Sequence, residues 1–562
     1  MVSATPDAMS RRKPALRSLA GALLALVVAA FCYAPALHAY FAADDLAFLA
    51  LVRLLDQPWL LFVHDHFPAS VYFRPFGVLV WWIVCAFYGA AAWPQYAVNL
   101  LLHAGCVVAL YALLQRMHRD VWRNALWAAL YAAHPIAVGT GFWLSDRFDL
   151  MTTLFSLFAV NAALAYAARP RNATLAVTLS MLLLGLLSKE LGIVASAAAF
   201  AAIAFSPRRS SSLAQRATAL ASIAALTLLW LAYRHAMLTT IPGFSGSLIS
   251  PATFVDGAWR WLRTGFELLV SDPRLAVWNI ALLSCAAVLW VAAAIAARIG
   301  QRVEGGRWHA AAAAATLCLL PGLVQAPVAV HHLGDVDAHS LWSGLVVTSR
   351  FYHLALAGLI CALMLVASPL VVRSTRRQKS QLALMAALVL AVVALAPASQ
   401  RAAHAYASET RGQIAPLHAL DVAVSQMDLP DRGCQVYFLD AGAIAGLSGY
   451  SDSIAKGLAA DPVLRAHCLF ASERPPYTYF VRTGSVTPDD YRPLHPVALA
   501  GHVVPPLTLG SVQAMYFTMG EDFTAELPAH AIFLVYRDGE FVNVSDDVRA
   551  GRRKVDFVLT RN

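Results

Sequence analysis

Long apolar runs separated by short polar segments fill the first 400 residues. Runs of about 20 apolar residues are typical of helices that cross a bilayer. One run, residues 73–93, is ambiguous, because a surface helix would fit its pattern as well as a crossing. The other runs predict eleven membrane spans: 18–37, 96–115, 125–143, 150–167, 174–187, 191–205, 217–237, 275–297, 308–330, 351–372 and 382–398.

Basic side chains lie in short clusters between these runs, at 11–17, 116–123, 169–171, 208–216, 298–307 and 373–379. Cytoplasmic loops are enriched in Lys and Arg. If the N-terminus is cytoplasmic and residues 73–93 do not cross, every cluster lies in the cytoplasm. If they cross, every cluster after the first lies outside. We therefore expect 73–93 to form an interfacial helix at the outer face, which its Trp81, Trp82 and Trp93 would suit.

The composition agrees with a polytopic membrane protein. Charged residues make up 13% of the 562 residues, about half the share in a soluble protein, which is about 25%. The net charge of +9 does not indicate nucleic-acid binding, since the basic residues sit in the predicted cytoplasmic loops. The basic, then apolar, N-terminus is interpreted as an uncleaved signal anchor.

Residues 400–562 are more polar and predict a soluble domain on the outer side. Short β-type runs, among them "CQVYFL", "YTYFVRTG", "AMYFTMG" and "AIFLVYRDGEFVNV", alternate with turn residues. We predict an α/β or mostly β fold there. Cys434 and Cys468 lie in this domain, where a disulfide and two unpaired thiols are both open. The predicted division is a transmembrane module, 1–399, with a first outer loop, 39–94, followed by this domain.

An acidic pair, Asp44 and Asp45, follows the first predicted span, and ionisable groups at a membrane edge are often functional. Further short motifs of charged and aromatic residues fall on the outer side of the predicted topology. They are "YFRPF" from residue 72, "HPIAV" from 134, "SDRFDLMTTLF" from 145, "LSKELGI" from 187 and "TSRFYHL" from 348.

This ordered series resembles the integral-membrane GT-C glycosyltransferases, which use a polyprenyl-phosphate sugar. The likeness covers roughly residues 18–360 and is strongest to the O-mannosyltransferases with transmembrane and tetratricopeptide regions and to their bacterial relatives. It implies a GT-C-like fold and an inverting hexosyltransferase of a bacterial-type inner membrane. The tetratricopeptide tail of those relatives is absent from the sequence, so their acceptor does not carry over.

The resemblance also implies roles for individual residues. Asp44, with Asp45 beside it, matches the position of the carboxylate that activates the acceptor. Arg147 and Asp149 match an Arg-x-Asp that organises the donor phosphate or an associated metal. The remaining basic positions that could hold the lipid phosphate are Arg74, Lys189 and Arg350, with His134 and Glu190 as supporting residues.

The chemistry explains why such residue types are needed. As the sugar leaves a polyprenyl phosphate, negative charge grows on the phosphate, and nearby cations stabilise it. Arginine suits this role because its planar fork donates two hydrogen bonds. The expected partners are a polyprenyl-phosphate sugar, membrane lipids and a protein, lipid or glycan acceptor. Whether a divalent cation, Mg²⁺ or Mn²⁺, takes part is left open.

Structural alternatives exist for each site residue. The acidic pair could cap a helix, Arg74 could reach for the interface, Lys189 and Glu190 could form an ion pair, and His134 could be a core histidine. The segment 331–339, "HHLGDVDAH", has metal-ligand residue types but no fixed geometry. For the whole chain, the alternatives are a transporter or flippase of lipid-linked cargo and a non-enzymatic envelope assembly protein.

Overall fold

The structure is a computed structural model. It describes residues 6–42, 45, 48–49, 52, 55, 57–63, 73–206, 212–237, 251–270, 308–333, 345–373, 377–412, 414–427, 435–439, 478–481, 514–517 and 531–552. The predicted span 275–297, the segment 334–344, Cys434 and Cys468 therefore lie outside the described residues.

The apolar runs form helices, as predicted. We number them α1 (Pro6–Tyr33), α2 (Pro75–Tyr88), α3 (Ala92–Met117), α4 (Val121–Ala133), α5 (Pro135–Phe142), α6 (Arg147–Ala168), α7 (Asn172–Ser188), α8 (Ile193–Ala204), α9 (Leu213–Met237), α10 (Pro251–Val270), α11 (Trp308–His332), α12 (His353–Arg373), α13 (Arg377–Arg411), α14 (Ile414–Ser425) and α15 (Ser545–Arg549). Three short 3-10 turns, Leu144–Asp146, Glu190–Gly192 and Ser349–Tyr352, precede α6, α8 and α12.

Six of the described helical segments are long and apolar enough to cross a membrane, and four shorter ones are also apolar. The chain is thus a multi-pass α-helical membrane protein. The long segments are Leu16–His38, Ala92–Met117, Leu144–Ala168, Leu213–Met237, His309–Pro327 and Gln381–Arg411.

The predicted continuous span 125–143 is broken at His134 and Pro135 into α4 and α5. Residue His134 is extended, with φ −73° and ψ 131°, the conformation that a following proline favours. Pro135 then occupies the first position of α5, where its missing N–H costs nothing. The break separates α5 from the longer helix before it.

The ambiguous run 73–93 forms α2, a helix of 14 residues, which is shorter than the about 20 residues that a crossing needs. One detail of the interfacial prediction is wrong. Trp81 is fully buried and stacks on Phe41 and Phe48, with ring centroids 6.4 and 5.7 Å apart. It packs inside its own unit, whereas Trp93 is 57% exposed.

The chain separates into two compact units. The helical unit comprises Met1–Leu37, Tyr96–Ala236 and Gly246–Ala405, and the second unit comprises His38–Gln95, Met237–Ser245 and Tyr406–Asn562. The segment predicted as the first outer loop therefore belongs to the same unit as the C-terminal part. The core of the helical unit is lined by α4, α6, α8, α11 and α12, whose facing residues are buried.

The second unit contains a five-stranded sheet in the order β3-β2-β1-β4-β5. Its strands are β1 (Gln435–Leu439), β2 (Thr478–Val481), β3 (Ala514–Phe517), β4 (Ala531–Arg537) and β5 (Glu540–Asn543). The first four are parallel, with Tyr437 beside Tyr479 and Phe533. The pair β4–β5 is an antiparallel hairpin whose turn residues Asp538 and Gly539 both have positive φ, as a two-residue type I′ turn requires.

Candidate active site

Charged side chains from four distant parts of the helical unit meet at one end of its helices. They come from the start of α6, the turn between α7 and α8, the last turn of α9 and the 3-10 turn before α12. We call this set the charged cluster: Asp146, Asp149, Lys189, Glu190, Arg234 and Arg350. Ion pairs of 2.5 to 3.9 Å join its members two by two.

Arg350 reaches across from the turn before α12 to the start of α6. Its guanidinium nitrogen lies 3.9 Å from an Asp146 oxygen, which is beyond hydrogen-bond distance. The guanidinium carbon lies 5.1 Å from the ring centroid of Trp143, within the range of a cation–π contact. The side chain is 18% exposed, so Arg350 is an oriented cation whose N–H groups can still donate hydrogen bonds to a ligand.

Lys189 and Asp149 form the tightest pair of the cluster, with Nζ 2.5 Å from Oδ2. Their side chains are 13% and 2% exposed. The chain leaves α7 at Ser188, and Lys189 is fully extended, with φ −161° and ψ 152°. This extended residue turns the lysine towards α6. The second oxygen of Asp149, Oδ1, is buried without a hydrogen-bond partner in the described part of the chain.

Glu190, the next residue, faces Arg234 at 3.9 Å, and each side chain is 23% exposed. Arg234 did not figure among the predicted site residues. A signal for it exists in the sequence, because Arg234 ends an apolar run on the side that the predicted topology places outside. Cations are depleted there, so such an arginine stands out.

Arg147, which was predicted at the donor phosphate, is fully buried. Its Nε donates to Oδ1 of Asn99 at 2.8 Å, and the Asn99 amide donates to the carbonyl of Gly141 at 3.2 Å. The arginine thus ties α6 to α3, and Asn99 ties α3 to α5. Its place is in the packing of the helices that carry the charged cluster.

His134 is 4% exposed and caps α5. Its Nδ1 accepts a hydrogen bond from the backbone N–H of Ile136 at 3.3 Å. This is the local structural role that the core-histidine alternative describes. The cap fixes the start of α5, the short helix that leads into Trp143 and Asp146.

The remaining predicted residues lie in the second unit. Asp45 is fully buried, and its Oδ2 accepts from the backbone N–H of Ala42 at 3.0 Å, as a capping carboxylate does. Arg74 is partly buried at the N-cap position of α2, without a side-chain capping bond. Asp44 lies outside the described residues.

Within the described part of the chain, no group of three or more His, Cys, Asp or Glu side chains could hold a metal ion. Most of the segment 331–339 lies outside that part. The charged cluster offers two buried carboxylates, Asp146 and Asp149, each already facing a cation.

No protein-family description and no curated protein matches the chain. Solved structures with a similar fold include ArnT from Cupriavidus metallidurans bound to undecaprenyl phosphate, with a TM-score of 0.46, 13% identity and coverage of 93% of this chain and 97% of that one. The same protein in the apo state gives 0.43, 13%, 93% and 96%. The oligosaccharyltransferase of Archaeoglobus fulgidus, tethered to an acceptor peptide, gives 0.43, 12%, 77% and 63%. Likenesses of this degree carry no information on a substrate, so the function has to be inferred from the chain's own side chains.

Proposed function

We propose that the chain is an inverting GT-C-type glycosyltransferase that uses a polyprenyl-phosphate sugar. It acts at the outer face of a bacterial-type inner membrane and transfers one sugar to a protein, lipid or cell-envelope glycan. The observation that carries this proposal is the convergence of Lys189, Arg234 and Arg350 at one end of apolar helices, on three segments far apart in sequence.

A polyprenyl-phosphate donor needs this combination. Its isoprenoid tail requires apolar helix surfaces, and its phosphate requires cations at the membrane edge. Arg350 meets the second need best, because Asp146 and Trp143 orient it without occupying its hydrogen-bond donors. A guanidinium can donate two parallel hydrogen bonds to a phosphate, and it stabilises the charge that grows on the leaving oxygen.

Lys189 and Arg234 would provide the rest of the positive field. Each faces a carboxylate, and each of the two cationic side chains is partly exposed, at 13% for Lys189 and 23% for Arg234. A phosphate that enters beside Arg350 would compete with Asp149 for Lys189 and with Glu190 for Arg234. Arg147 is buried and bonded to Asn99, so its proposed part is to hold the start of α6, which carries Asp146 and Asp149.

Acceptor activation requires a base on the opposite side of the anomeric carbon, and direct displacement inverts its configuration. Asp44 is the proposed base. Its neighbour Asp45 is engaged with the backbone of Ala42, which leaves Asp44 as the carboxylate of the pair for this chemistry. Arg74, from the same unit, is proposed to contact the donor phosphate or the lipid surface.

The test is a transfer assay with the purified full-length chain, a radiolabelled polyprenyl-phosphate sugar and membrane extract as acceptor. We expect release of polyprenyl phosphate, and we expect Asp44→Asn to abolish it while the protein still inserts into the membrane. Asp256→Asn is the matched control, since Asp256 forms an exposed pair with Arg260 on α10. Full activity of Asp44→Asn refutes the base. Movement of intact donor across vesicles without sugar release favours the transporter alternative.

A further inference from the structure

A second layer of polar side chains lies one helical turn behind the charged cluster. His353 is at its centre and is 1% exposed. Its Nε2 lies 2.7 Å from the hydroxyl of Tyr131 on α4, and its Nδ1 lies 3.0 Å from the hydroxyl of Thr153 on α6. A neutral imidazole has one donor and one acceptor nitrogen, so a single ring satisfies both contacts and joins three helices.

The layer extends to α3 and α1 through aromatic stacking. The ring of His103 stacks on Tyr33, with centroids 4.1 Å apart and planes 19° apart. It also lies 5.9 Å from the ring of Tyr131, nearly parallel. All of these side chains are at most 1% exposed. We call the five residues Tyr33, His103, Tyr131, Thr153 and His353 the buried layer.

The spacing of the two layers along the chain is regular. Thr153 follows Asp149 by four residues on α6, and His353 follows Arg350 by three residues. His103 follows Asn99, the partner of Arg147, by four residues on α3. Residues three or four apart lie on the same face of a helix, one turn from each other. The contacts of Thr153, His353 and His103 therefore fix the segments whose neighbouring turn carries Asp149, Arg350 and Asn99, respectively.

We infer that His353 is a positioning residue, which clamps the turn carrying Arg350 to α6 and so fixes Arg350 against Asp146 and Trp143. The reason is geometric. Within the described residues, the Arg350 side chain is held by a 3.9 Å pair and by ring contacts, which cannot define its position closely. Phe351 and Tyr352 tie the turn that carries it to Trp261 on α10. The two hydrogen bonds of His353, one turn away, tie that turn to α4 and α6. The inference rests on the proposed function in one respect, that Arg350 binds a phosphate.

Thr153→Val is the variant that tests the clamp, because valine keeps the shape of threonine and removes the hydroxyl bonded to His353. Thr153→Ser restores the hydroxyl. Thr178→Val is the matched control, since the buried Thr178 donates within its own helix, to the carbonyl of Thr174 at 2.9 Å. His353→Phe removes both bonds and serves as the stronger variant where it folds.

Two readouts are needed. The first is the rate at which phenylglyoxal modifies Arg350, measured by peptide mass spectrometry on the full-length protein in detergent. The second is kcat/KM for the polyprenyl-phosphate sugar. For Thr153→Val we expect faster modification of Arg350 and a kcat/KM lowered about five- to tenfold, the value of one good hydrogen bond. Thr153→Ser and Thr178→Val should match the parent chain in both.

The buried Arg147 reports on general loosening. If Thr153→Val accelerates modification of Arg147 as much as of Arg350, the layer holds the whole bundle and the positioning inference fails. It also fails if neither the Arg350 rate nor kcat/KM changes. If the parent chain transfers no sugar, the proposed function fails, while the modification rates still decide whether His353 positions Arg350.

Discussion

The Arg350 side chain is oriented by Asp146 and Trp143 but forms no short hydrogen bond with either. Its ion pair with Asp146 is long, at 3.9 Å, and the Asp146 side chain is only 4% exposed. Loss of one partner of a buried pair is destabilising, so Arg350→Ala should lower the unfolding temperature, and its activity is measured at a temperature where the variant stays folded. If the side chain stabilises the leaving phosphate, kcat/KM for the donor should fall about 100- to 1,000-fold, as on loss of an oxyanion-binding donor.

Two comparisons make that prediction specific. Arg350→Lys keeps the charge and loses the planar fork, so it should recover only part of the activity. Arg116→Ala removes another arginine near a helix end, one bonded to Asn161 on α6, and should transfer sugar like the parent chain. Equal losses in the Arg350 and Arg116 variants would contradict a phosphate site at Arg350.

Variants of the Lys189–Asp149 pair can distinguish a structural role from a functional one. Lys189→Met would leave a nearly buried carboxylate unpaired, which costs about 3–5 kcal/mol, so we expect a clear drop in the unfolding temperature measured by tryptophan fluorescence. The double variant Lys189→Met, Asp149→Asn should regain most of the loss. An unchanged unfolding temperature in Lys189→Met would show that the ion pair adds no stability.

Activity of the stable double variant then shows whether the pair takes part in donor binding. If Lys189 or Asp149 holds or organises the donor phosphate, the double variant is folded and inactive. If the two residues only form a stabilising ion pair, the double variant is folded and active. The sequence left both roles open at this position, and the structure supplies the burial that makes the comparison informative.

Residue types in the charged cluster were predictable, but their pairing was not. Lys189, Asp149 and Arg350 stand out as polar residues at the ends of apolar runs. Arg147 stands out equally, yet it is buried against Asn99. A helix that is apolar on every side gives no periodic signal for the face that meets other helices. For the same reason, the contact between Glu190 and Arg234, 44 positions apart, cannot be read from the chain.

Most helices were predicted from their apolar runs alone. However, α1 begins 12 residues before its predicted span, α13 ends 13 residues after its own, and α10 and α14 were not among the predicted runs. The break before α5 was missed, although "HP" at 134–135 contains the proline that causes it. Hydropathy averages over such a break, because residues on both sides are apolar. The break positions Trp143 and Asp146. The dipeptide His134–Pro135 thus contributes to the geometry of the site.

Helix packing makes a prediction at the contact of α11 with α12. A Cβ on Gly358 would lie 2.6 Å from the carbonyl carbon of Leu317 and still closer to the amide nitrogen of Cys318. Small residues allow such close approach of membrane helices. Gly358→Ala should thus force the helices apart and cost about 1–3 kcal/mol, seen as a lower unfolding temperature.

Gly185→Ala on α7 is the matched control. Its Cβ would lie 3.6 Å from Cβ of Phe155, an ordinary contact, and alanine favours a helix over glycine by about 1 kcal/mol. The variant should be as stable as the parent chain or more so. If Gly358→Ala is tolerated equally well, α11 and α12 do not pack as closely as the structure has them.

At the scale of the molecule, the β-type runs located the strands of the second unit. Four predicted runs contain the five described strands, since "AIFLVYRDGEFVNV" folds back at Asp538 and Gly539. The strand order could not be predicted, because a run does not reveal which strand lies beside it. Nor does composition show that His38–Gln95 and Tyr406–Asn562 belong to one unit, since the two stretches are far apart in the chain.

The orientation of the whole chain decides whether the proposed donor site faces the outside. With a cytoplasmic N-terminus and eleven crossings, the C-terminal part is outside, while the turn between α6 and α7 is in the cytoplasm. Glu540 and Arg171 are exposed in these two places. Glu540→Cys should therefore react with a membrane-impermeant maleimide while the inner membrane is intact, and Arg171→Cys only after lysis.

Label at each introduced cysteine is located by peptide mass spectrometry and compared with the parent chain, whose native cysteines set the background. The reverse pattern would move the charged cluster to the cytoplasmic face, because the predicted crossings place residues 146, 189, 234 and 350 on the side opposite Arg171. A donor flipped to the outer leaflet could not then reach Arg350, and a cytoplasmic sugar donor would have to replace it. If both cysteines are labelled without lysis, the number of crossings between residues 171 and 540 is even. The predicted topology, which has an odd number of crossings there, would then be excluded.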